Sequence, residues 1–196
     1  MGERTVVIGA DGLARCPWVG DTPDYVAYHD DEWGRPLHGD DALFERLCLE
    51  GFQSGLSWLT ILRKRPAFRA AFAGFSIERV AAFDEKDVER LLADAGIVRN
   101  TMKINAAIKN ARTAGALDGG LSALVWSYAP AEPAPAPSLD DLIPAVTAES
   151  TAMAKGLKKA GFVFVGPTTC YALMQACGMV DDHLAECHVR AGLGKG

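Results

Sequence analysis

Two cysteines and two histidines near the ends of the chain have side chains that can bind a metal ion. His183 and Cys187 are four residues apart in DDHLAEC, so one turn of helix would direct both at the same point. Cys16 and His29 are thirteen residues apart near the other end. Two thiolates and two imidazoles suit tetrahedral Zn²⁺ and leave no coordination position for a catalytic water. This set predicts a structural site that joins the two terminal segments.

The same spacing permits other interpretations. No compact zinc-finger pattern relates His29 to His183, and each residue could be an ordinary buried imidazole or thiol. His188, directly after Cys187, is a competing candidate ligand. A zinc hydrolase, which would need an open coordination position and a carboxylate base, therefore remains an alternative.

Glu50 is a carboxylate at a position where the helical pattern predicts burial. It follows Leu43 by seven residues and Leu47 by three, so the three side chains share one helix face. A buried carboxylate costs free energy unless it is paired or has a function. The alternatives are a core glutamate paired with an arginine, or a helix end that has turned outward at Gly51. Gly51 and Gly55 would also let the backbone approach a ligand closely.

Aromatic residues are concentrated on both sides of this glutamate. The five rings are those of Trp18, Tyr25, Tyr28, Trp33 and Trp58. Their faces could stack on a flat, partly cationic ring, and the carboxylate could accept hydrogen bonds from an exocyclic amine of that ring. Such rings more often belong to the core, so the prediction of a ligand pocket depends on their combination with Glu50.

Residues 84–112 read as two helices that flank a short turn. Gly96 lies in the turn, and a hairpin of this kind can present backbone N–H groups and a helix N-terminus to a phosphate. Arg99 and Lys103 add positive charge after the turn. An ordinary antiparallel helix pair has the same pattern, so both interpretations stay open.

Helical periodicity dominates the elements that must position these residues. Apolar residues recur at helical spacing over 40–52, and Asp84 is a predicted N-cap. The helix in SWLTILRKR is predicted to stop before Pro66. Residues 128–138 contain four prolines and predict a loop, and FVFVG at 162–166 predicts a short strand or a buried connection. The expected fold class is all-α.

Two lobes are predicted, a central helical domain and a lobe in which the chain ends meet. The predicted ranges are an N-terminal extension at 1–15, a zinc-binding lobe at 16–38 and 113–196, and a central domain at 39–112.

The composition is typical of a globular protein outside the membrane. Of the 196 residues, 49% are hydrophobic and 23% charged, and no apolar run approaches the roughly 20 residues that span a bilayer. Without an apolar signal segment at the N-terminus, we expect a cytoplasmic protein with no membrane partner. The odd count of five cysteines favours reduced or metal-bound thiols. A net charge of −5 argues weakly against a nucleic-acid partner, but basic residues cluster locally.

Taken together, these motifs resemble one family. The order CPW, AYHDDEWG, LFERLCLEGFQSGLSW, DAGIVRN and FVFVGPTTCYALMQACGMVDDH is similar to the 3-methyladenine DNA glycosylase I family, from Cys16 to about Cys187. The resemblance implies a helix-hairpin-helix DNA glycosylase fold with a zinc-binding lobe formed by the N- and C-terminal segments. It also implies base-excision repair, in which the enzyme hydrolyses the N-glycosidic bond of a flipped-out 3-methyladenine without a lyase step.

The resemblance implies roles for individual residues as well. By role, they are Glu50 as the catalytic residue; Tyr28, Trp58, Trp18, Tyr25 and Trp33 around the base; Gly55 and Leu56 at the DNA; and Cys16, His29, His183 and Cys187 as ligands of one structural zinc ion per chain. The hairpin pattern adds Gly96, Arg99 and Lys103 as predicted DNA contacts. A serine of the family pattern is Ala172 here, which removes one polar contact from the implied pocket.

The implied mechanism needs little catalytic assistance from the protein, because N3-methylation makes adenine a cation and weakens its bond to the sugar. Ionised Glu50 would accept a hydrogen bond from the N6 amine, and water would attack the sugar. The expected partners are double-stranded DNA containing 3-methyladenine and the free base, bound by a monomer. The alternatives are the zinc hydrolase and a DNA-damage binding module that does not turn over.

Overall fold

The computed structural model describes residues 5–193, and helices form most of it. The helices are α1 (Pro23–Asp31), α2 (Asp40–Gln53), α3 (Trp58–Ala71), α4 (Ile77–Ala81), α5 (Glu85–Ala93), α6 (Thr101–Gly115), α7 (Gly120–Trp126), α8 (Ala148–Ala160), α9 (Pro167–Ala176) and α10 (His188–Leu193). Short 3₁₀ turns lie at Pro17–Val19 and Ala73–Phe75. The all-α prediction is confirmed.

A small hairpin near the N-terminus is the exception. Strand β1 (Val7–Ile8) pairs antiparallel with β2 (Ala14–Arg15), and Val7 lies opposite Arg15. These two strands lie within the predicted N-terminal extension and were not expected from the sequence. They deliver Arg15 to Asp30, whose carboxylate accepts from Nε at 3.0 Å and from Nη2 at 2.6 Å.

Helix α2 runs through the larger of two hydrophobic cores. It contacts α3, α6, α7 and α9, and Leu43, Phe44 and Leu49 are fully buried. Near its end the Phe52 ring lies 4.7 Å from that of Phe68 on α3. Helices α8 and α9 also contribute to this core, for example through Met153 and Cys170. A helix covered on several sides buries even a polar residue on its face, which explains the burial of Glu50.

The smaller core joins the two ends of the chain. Its buried members are Cys16, Val19, Tyr28, Trp33, Leu62, Ala176, Leu184, Cys187 and Val189. Two hydrogen bonds also tie the proline-rich loop to the C-terminal segment: Ala185 N–H donates to Pro137 at 2.9 Å, and the Arg190 guanidinium donates to Ala134 at 3.4 Å. The predicted division into domains stays a prediction.

The prediction that the third helix stops before Pro66 is wrong. Helix α3 continues through Pro66 to Ala71. A proline inside a helix costs about 3 kcal/mol through a lost hydrogen bond and a ring clash. Pro66 is on the exposed face, whereas Phe68 and Ala71 beyond it are buried, and their burial offsets that cost.

The segment at 162–166 is a buried connection rather than a strand. Phe162 and Val165 are buried. The Asn110 side chain bonds both backbone groups of Val163, donating to the carbonyl at 3.0 Å and accepting from the N–H at 2.9 Å. One amide side chain thus satisfies the polar groups that a neighbouring strand would otherwise bond.

Helices α5 and α6 flank the predicted turn. Asp84 caps α5 with a reciprocal capping box, as predicted, and Asn100 caps α6 by accepting from the Lys103 N–H at 3.0 Å. In the turn, the Gly96 N–H donates to Asp94 at 2.7 Å. The Lys64 ammonium donates to the Gly96 carbonyl at 3.1 Å, so a side chain from α3 braces the turn.

Within residues 5–193, no helix combines the length and apolar character needed to cross a membrane.

Candidate active site and metal centre

A cavity of about 310 Å³ opens where α1, α2, α3 and α9 converge. Its lining residues are Trp18, Tyr25, Tyr28, Trp33, Glu50, Gln53, Trp58, Ile143, Ala172 and Gln175. The structure thus brings together Glu50 and all five aromatic residues that the sequence analysis selected. The volume lies at the lower end of the roughly 300–1,000 Å³ that is usual for small-molecule sites.

Glu50 is buried and unpaired on the wall of this cavity. Its exposed fraction is 6%, which rules out a helix end that has turned outward. Among residues 5–193, none donates a hydrogen bond to its carboxylate. Burial raises the pKa of Glu50 to about 8, although the charge of Arg46 acts in the opposite direction. The carboxyl group is therefore free to bind a ligand.

Arg46 lies one helical turn before Glu50 but pairs with a different carboxylate. Its Nη2 donates to Glu32. Arg65 binds both oxygens of Glu32, each at 2.6 Å. Burial alone would raise the pKa of Glu32, but the hydrogen bonds from Arg65 and Arg46 lower it to about 2. The alternative of a core glutamate paired with an arginine thus describes Glu32 and not Glu50.

The rings around the cavity support one another. The Tyr28 and Trp58 centroids are 5.4 Å apart with planes inclined at 49°, and the Arg46 guanidinium lies 5.7 Å from the Tyr28 ring centroid. Trp18 meets the Trp33 ring edge-on at 5.1 Å. The Trp58 indole N–H is buried without an acceptor among the described residues, which leaves a donor beside the cavity.

Three further lining residues had no signal in the sequence. Gln53 and Gln175 occupy ordinary positions on amphipathic helices, and Ile143 comes from the irregular segment before α8. Only the tertiary arrangement places them at the cavity. Ala172, noted in the sequence for its departure from the family pattern, also lines the wall.

The side chains of Cys16, His29 and Cys187 form a buried cluster. One potential ligand atom of each lies within 4.8 Å of the others. The Cys187 sulfur is 3.5 Å from Nε2 of His29. Two predicted ligands from one end of the chain thus meet one from the other end.

His183, the fourth predicted ligand, lies beside this cluster of three but is not part of it. Its ring centroid is 4.8 Å from that of His29, and its Nε2 is buried without a hydrogen-bond partner in the described chain. In both rings Nδ1 bonds a carboxylate at 2.7 Å, Asp181 for His183 and Asp30 for His29. Metal-binding histidines are commonly oriented in this way, with the other nitrogen free for the ion. The unpartnered Nε2 and the two thiols fit a zinc ion.

Gly34 allows the His183 ring to take this position. Its φ is +74°, in the left-handed region, and a Cβ there would lie 2.7 Å from Cε1 of His183. Only glycine meets both conditions. His188, the competing candidate ligand, bonds the Asp30 carboxylate through Nε2 at 3.1 Å, which favours a supporting role outside the set of four.

The residues predicted to contact DNA lie in two turns. Gly55 has a φ of +82° and precedes Leu56, whose exposed fraction is 42%, in the turn after α2. Gly96 and the exposed Arg99 lie in the turn before α6. Lys103 connects the two turns, because its ammonium donates to the carbonyls of Phe52 at 2.9 Å and Ser54 at 2.6 Å. Direct DNA contact by any of these residues stays a prediction.

Replacing Lys103 with methionine is expected to destabilise the end of α2. The change removes two charge-assisted hydrogen bonds to carbonyls at a helix C-terminus, so we expect a loss of about 1–2 kcal/mol in unfolding free energy. Urea unfolding measures it. Lys109→Met is the control, since Lys109 is exposed on the same helix. Equal destabilisation by both variants would contradict the bracing role.

The sequence of the chain matches one family model and is similar to characterised bacterial proteins. Residues 18–191 match the family model of methyladenine glycosylase. The chain is 48% identical over 180 residues to DNA-3-methyladenine glycosylase 1 of Escherichia coli, with 89% of this chain and 96% of that protein covered. It is 43% identical over 178 residues to DNA-3-methyladenine glycosylase of Haemophilus influenzae, with 88% and 96% covered.

Solved structures of related proteins are similar to this chain in both fold and sequence. A crystal structure of 3-methyladenine DNA glycosylase I superposes with a TM-score of 0.84 at 50% identity, covering 89% of this chain and 98% of that one. The Staphylococcus aureus enzyme, solved to explain its 3-methyladenine recognition, gives a TM-score of 0.81 at 37% identity, with 86% and 92% covered. The family model and these relatives span most of the chain, and the protein belongs to the methyladenine glycosylase family.

Proposed function

We propose that this protein is a DNA-3-methyladenine glycosylase, a hydrolase that cleaves the N-glycosidic bond of 3-methyladenine in alkylated DNA. The observation that carries the proposal is the unpaired carboxyl group of Glu50, buried in a cavity walled by aromatic rings. A buried acidic group among aromatic rings favours a flat cation over a neutral ring of the same shape. A purine methylated at N3 is such a cation, and intact adenine is not.

The protonation of Glu50 adds to this selectivity. With a pKa raised to about 8, the empty cavity holds the group largely protonated near neutral pH. This differs from the ionised carboxylate that the sequence analysis expected. A cationic base close to the group stabilises the carboxylate form, so we propose that binding releases the proton and creates the ion pair. A neutral adenine offers no such gain.

The reaction itself needs the base out of the helix. We propose that the flipped nucleotide places its ring against Tyr28 and Trp58, while Glu50 accepts from the exocyclic amine. The bond between the base and C1′ of the sugar breaks, and its electron pair leaves with the base, which becomes neutral. Water forms the new bond to C1′ and loses a proton. Among residues 5–193, no lysine lines the cavity, which supports water over an amine as nucleophile and hence no lyase step.

Contacts with DNA follow from the two turns. We propose that Leu56, exposed beside Gly55, fills the gap left by the flipped base, and that Arg99 holds the phosphate backbone where it passes the turn at Gly96. Lys103 supports the first turn from inside. We propose that a monomer is the active unit on double-stranded DNA.

The zinc ion is proposed as a structural element, one per chain. Cys16, His29, His183 and Cys187 would hold it, and four protein ligands leave no open position for substrate or water. Bound there, the ion would fix the segment that carries Trp18 and Tyr28 to the C-terminal segment. The geometry of the set therefore favours the glycosylase over the zinc hydrolase.

Base release from methylated DNA tests the proposed function. The protein at one-hundredth of the lesion concentration should release 3-methyladenine, resolved by HPLC, at many bases per protein molecule. Release that stops at one base per protein, or binding to methylated DNA without release, would identify the non-catalytic binding module instead. Untreated DNA is the control, and it should yield no free adenine.

A further inference from the structure

Gln175 is a polar cavity residue whose amide is held from behind. Helix α9 places it three residues after Ala172, on the same face of the helix and in the same cavity wall. Its Nε2 donates to Oδ2 of Asp182 at 2.7 Å. A buried carboxylate outside the cavity thus determines how the amide is oriented.

Asp182 fixes the orientation of the Gln175 amide because the Asp182 carboxylate is itself buried and hydrogen-bonded. Its exposed fraction is 9%, and the same Oδ2 also accepts from the Tyr171 hydroxyl at 2.7 Å. Burial, followed by the hydrogen bond to Asp182, raises the pKa of Tyr171, so the phenol stays a donor. A Gln175 amide turned by 180° would bring its oxygen against the carboxylate oxygen, and two acceptors repel each other.

The amide oxygen of Gln175 is therefore the atom that remains for a ligand. No residue in the described part of the chain donates to it. The carboxyl group of Glu50 on α2 becomes a second acceptor in the cavity once it is ionised. A ligand edge with N–H donors suits the Gln175 oxygen, and an edge with a carbonyl oxygen does not.

We propose that Gln175, positioned by Asp182, determines specificity for purines that carry an amine at position 6 over those that carry a carbonyl there. The inference rests on the proposed function and names the class of base that the cavity accepts. It predicts that 3-methyladenine is a better ligand than 3-methylguanine, whose 6-oxygen would face the amide oxygen of Gln175, and these two acceptors repel each other.

Binding of the two free bases tests this without relying on turnover. Quenching of the cavity tryptophans reports the dissociation constants of 3-methyladenine and 3-methylguanine. The wild type should prefer 3-methyladenine, and Gln175→Met, which keeps the side-chain length but removes the amide, should reduce that preference about tenfold. An unchanged preference in Gln175→Met, or no preference in the wild type, would overturn the proposal.

A matched pair of variants at Asp182 tests the positioning role. Asp182→Asn keeps one acceptor oxygen for Gln175 and should retain the preference, whereas Asp182→Leu removes it and should lower the preference as Gln175→Met does. Thermal melting confirms that each variant is folded. Equal preferences in Asp182→Asn and Asp182→Leu would contradict the role of Asp182.

The proposed function is tested separately by release from methylated DNA. Release of 3-methyladenine with no base preference overturns only the role of Gln175. A base preference without release overturns only the proposed turnover.

Discussion

Glu50→Gln is expected to remove most 3-methyladenine excision and, at the same time, to stabilise the fold. The variant keeps the size of the side chain but cannot form the ion pair with a cationic base, so excision should fall by about 10²–10³-fold. Glu50 is buried without a donor, so its ionisation costs the folded state free energy that the neutral amide does not. The variant should be more stable than the wild type by about 3–5 kcal/mol at pH 8.5.

The gain in stability should depend on pH in a defined direction. The pKa of Glu50 rises from 4.5 to about 8 on folding. Between these values the folded protein holds a proton that the unfolded chain has lost, so the wild type loses stability as pH rises. The penalty is absent below pH 4.5 and complete above pH 8. The difference between Glu50→Gln and the wild type should therefore grow from about pH 5 to pH 8.

Urea unfolding at several pH values, with HPLC of released bases, measures both effects. Glu45→Gln is the matched control on the same helix, since the Glu45 carboxylate pairs with Arg69 at 2.8 Å and lies outside the cavity lining. It should retain excision and show no such pH dependence. A Glu50→Gln variant that is less stable than the wild type at pH 8.5 would show that Glu50 has a structural partner.

Removal of zinc is expected to have the second large effect. The purified protein should carry one zinc per chain, and Cys187→Ala should carry none, because Cys187 lies in the cluster with Cys16 and His29. At a free zinc concentration a thousand times the dissociation constant, bound metal adds about 4 kcal/mol to the unfolding free energy. Chelation should remove that amount, and excision should be lost only as the fold is lost.

Elemental analysis and thermal melting with and without chelator measure this. Cys170→Ala is the control, because Cys170 is an equally buried free thiol in the larger core. It should keep its zinc. Wild-type protein that contains no zinc, or that melts at the same temperature after chelation, would contradict a structural ion. Loss of activity from a chelated but fully stable protein would instead favour the zinc hydrolase.

The sequence was most informative at positions where the type of residue does not suit its predicted environment. Glu50 stood out because helical spacing put a carboxylate on a buried face, and the structure places it in the cavity. His183 and Cys187 stood out by type and spacing, but their approach to Cys16 and His29 depends on contacts across more than a hundred residues. Spacing alone could not establish that approach, and the family resemblance supplied it.

Other features had no local signal. Gln175 occupies an unremarkable helix position, and only the tertiary contact with Asp182 gives its amide a fixed orientation. Pro66 carried a misleading signal, since local backbone preference predicts a helix end there and the burial of Phe68 overrides it. The short N-terminal strands are too brief for periodicity to detect, and their pairing became visible only in the fold.

Helix α2 connects the stability of the protein to its proposed function. It runs through the larger core and carries Glu50 on a turn where neighbouring helices exclude water. The same packing that buries Leu43 and Leu49 raises the pKa of the acid. The fold therefore bears the cost of one unpaired carboxyl group, to which the proposed function assigns the preference for a cation.

A crystal structure with 3-methyladenine tests the central claim most directly. The base should lie in the cavity against Tyr28 and Trp58, with its exocyclic amine within about 3.2 Å of a Glu50 oxygen. A base bound elsewhere, or bound in the cavity with its amine turned away from Glu50, would contradict the role given to this carboxyl group.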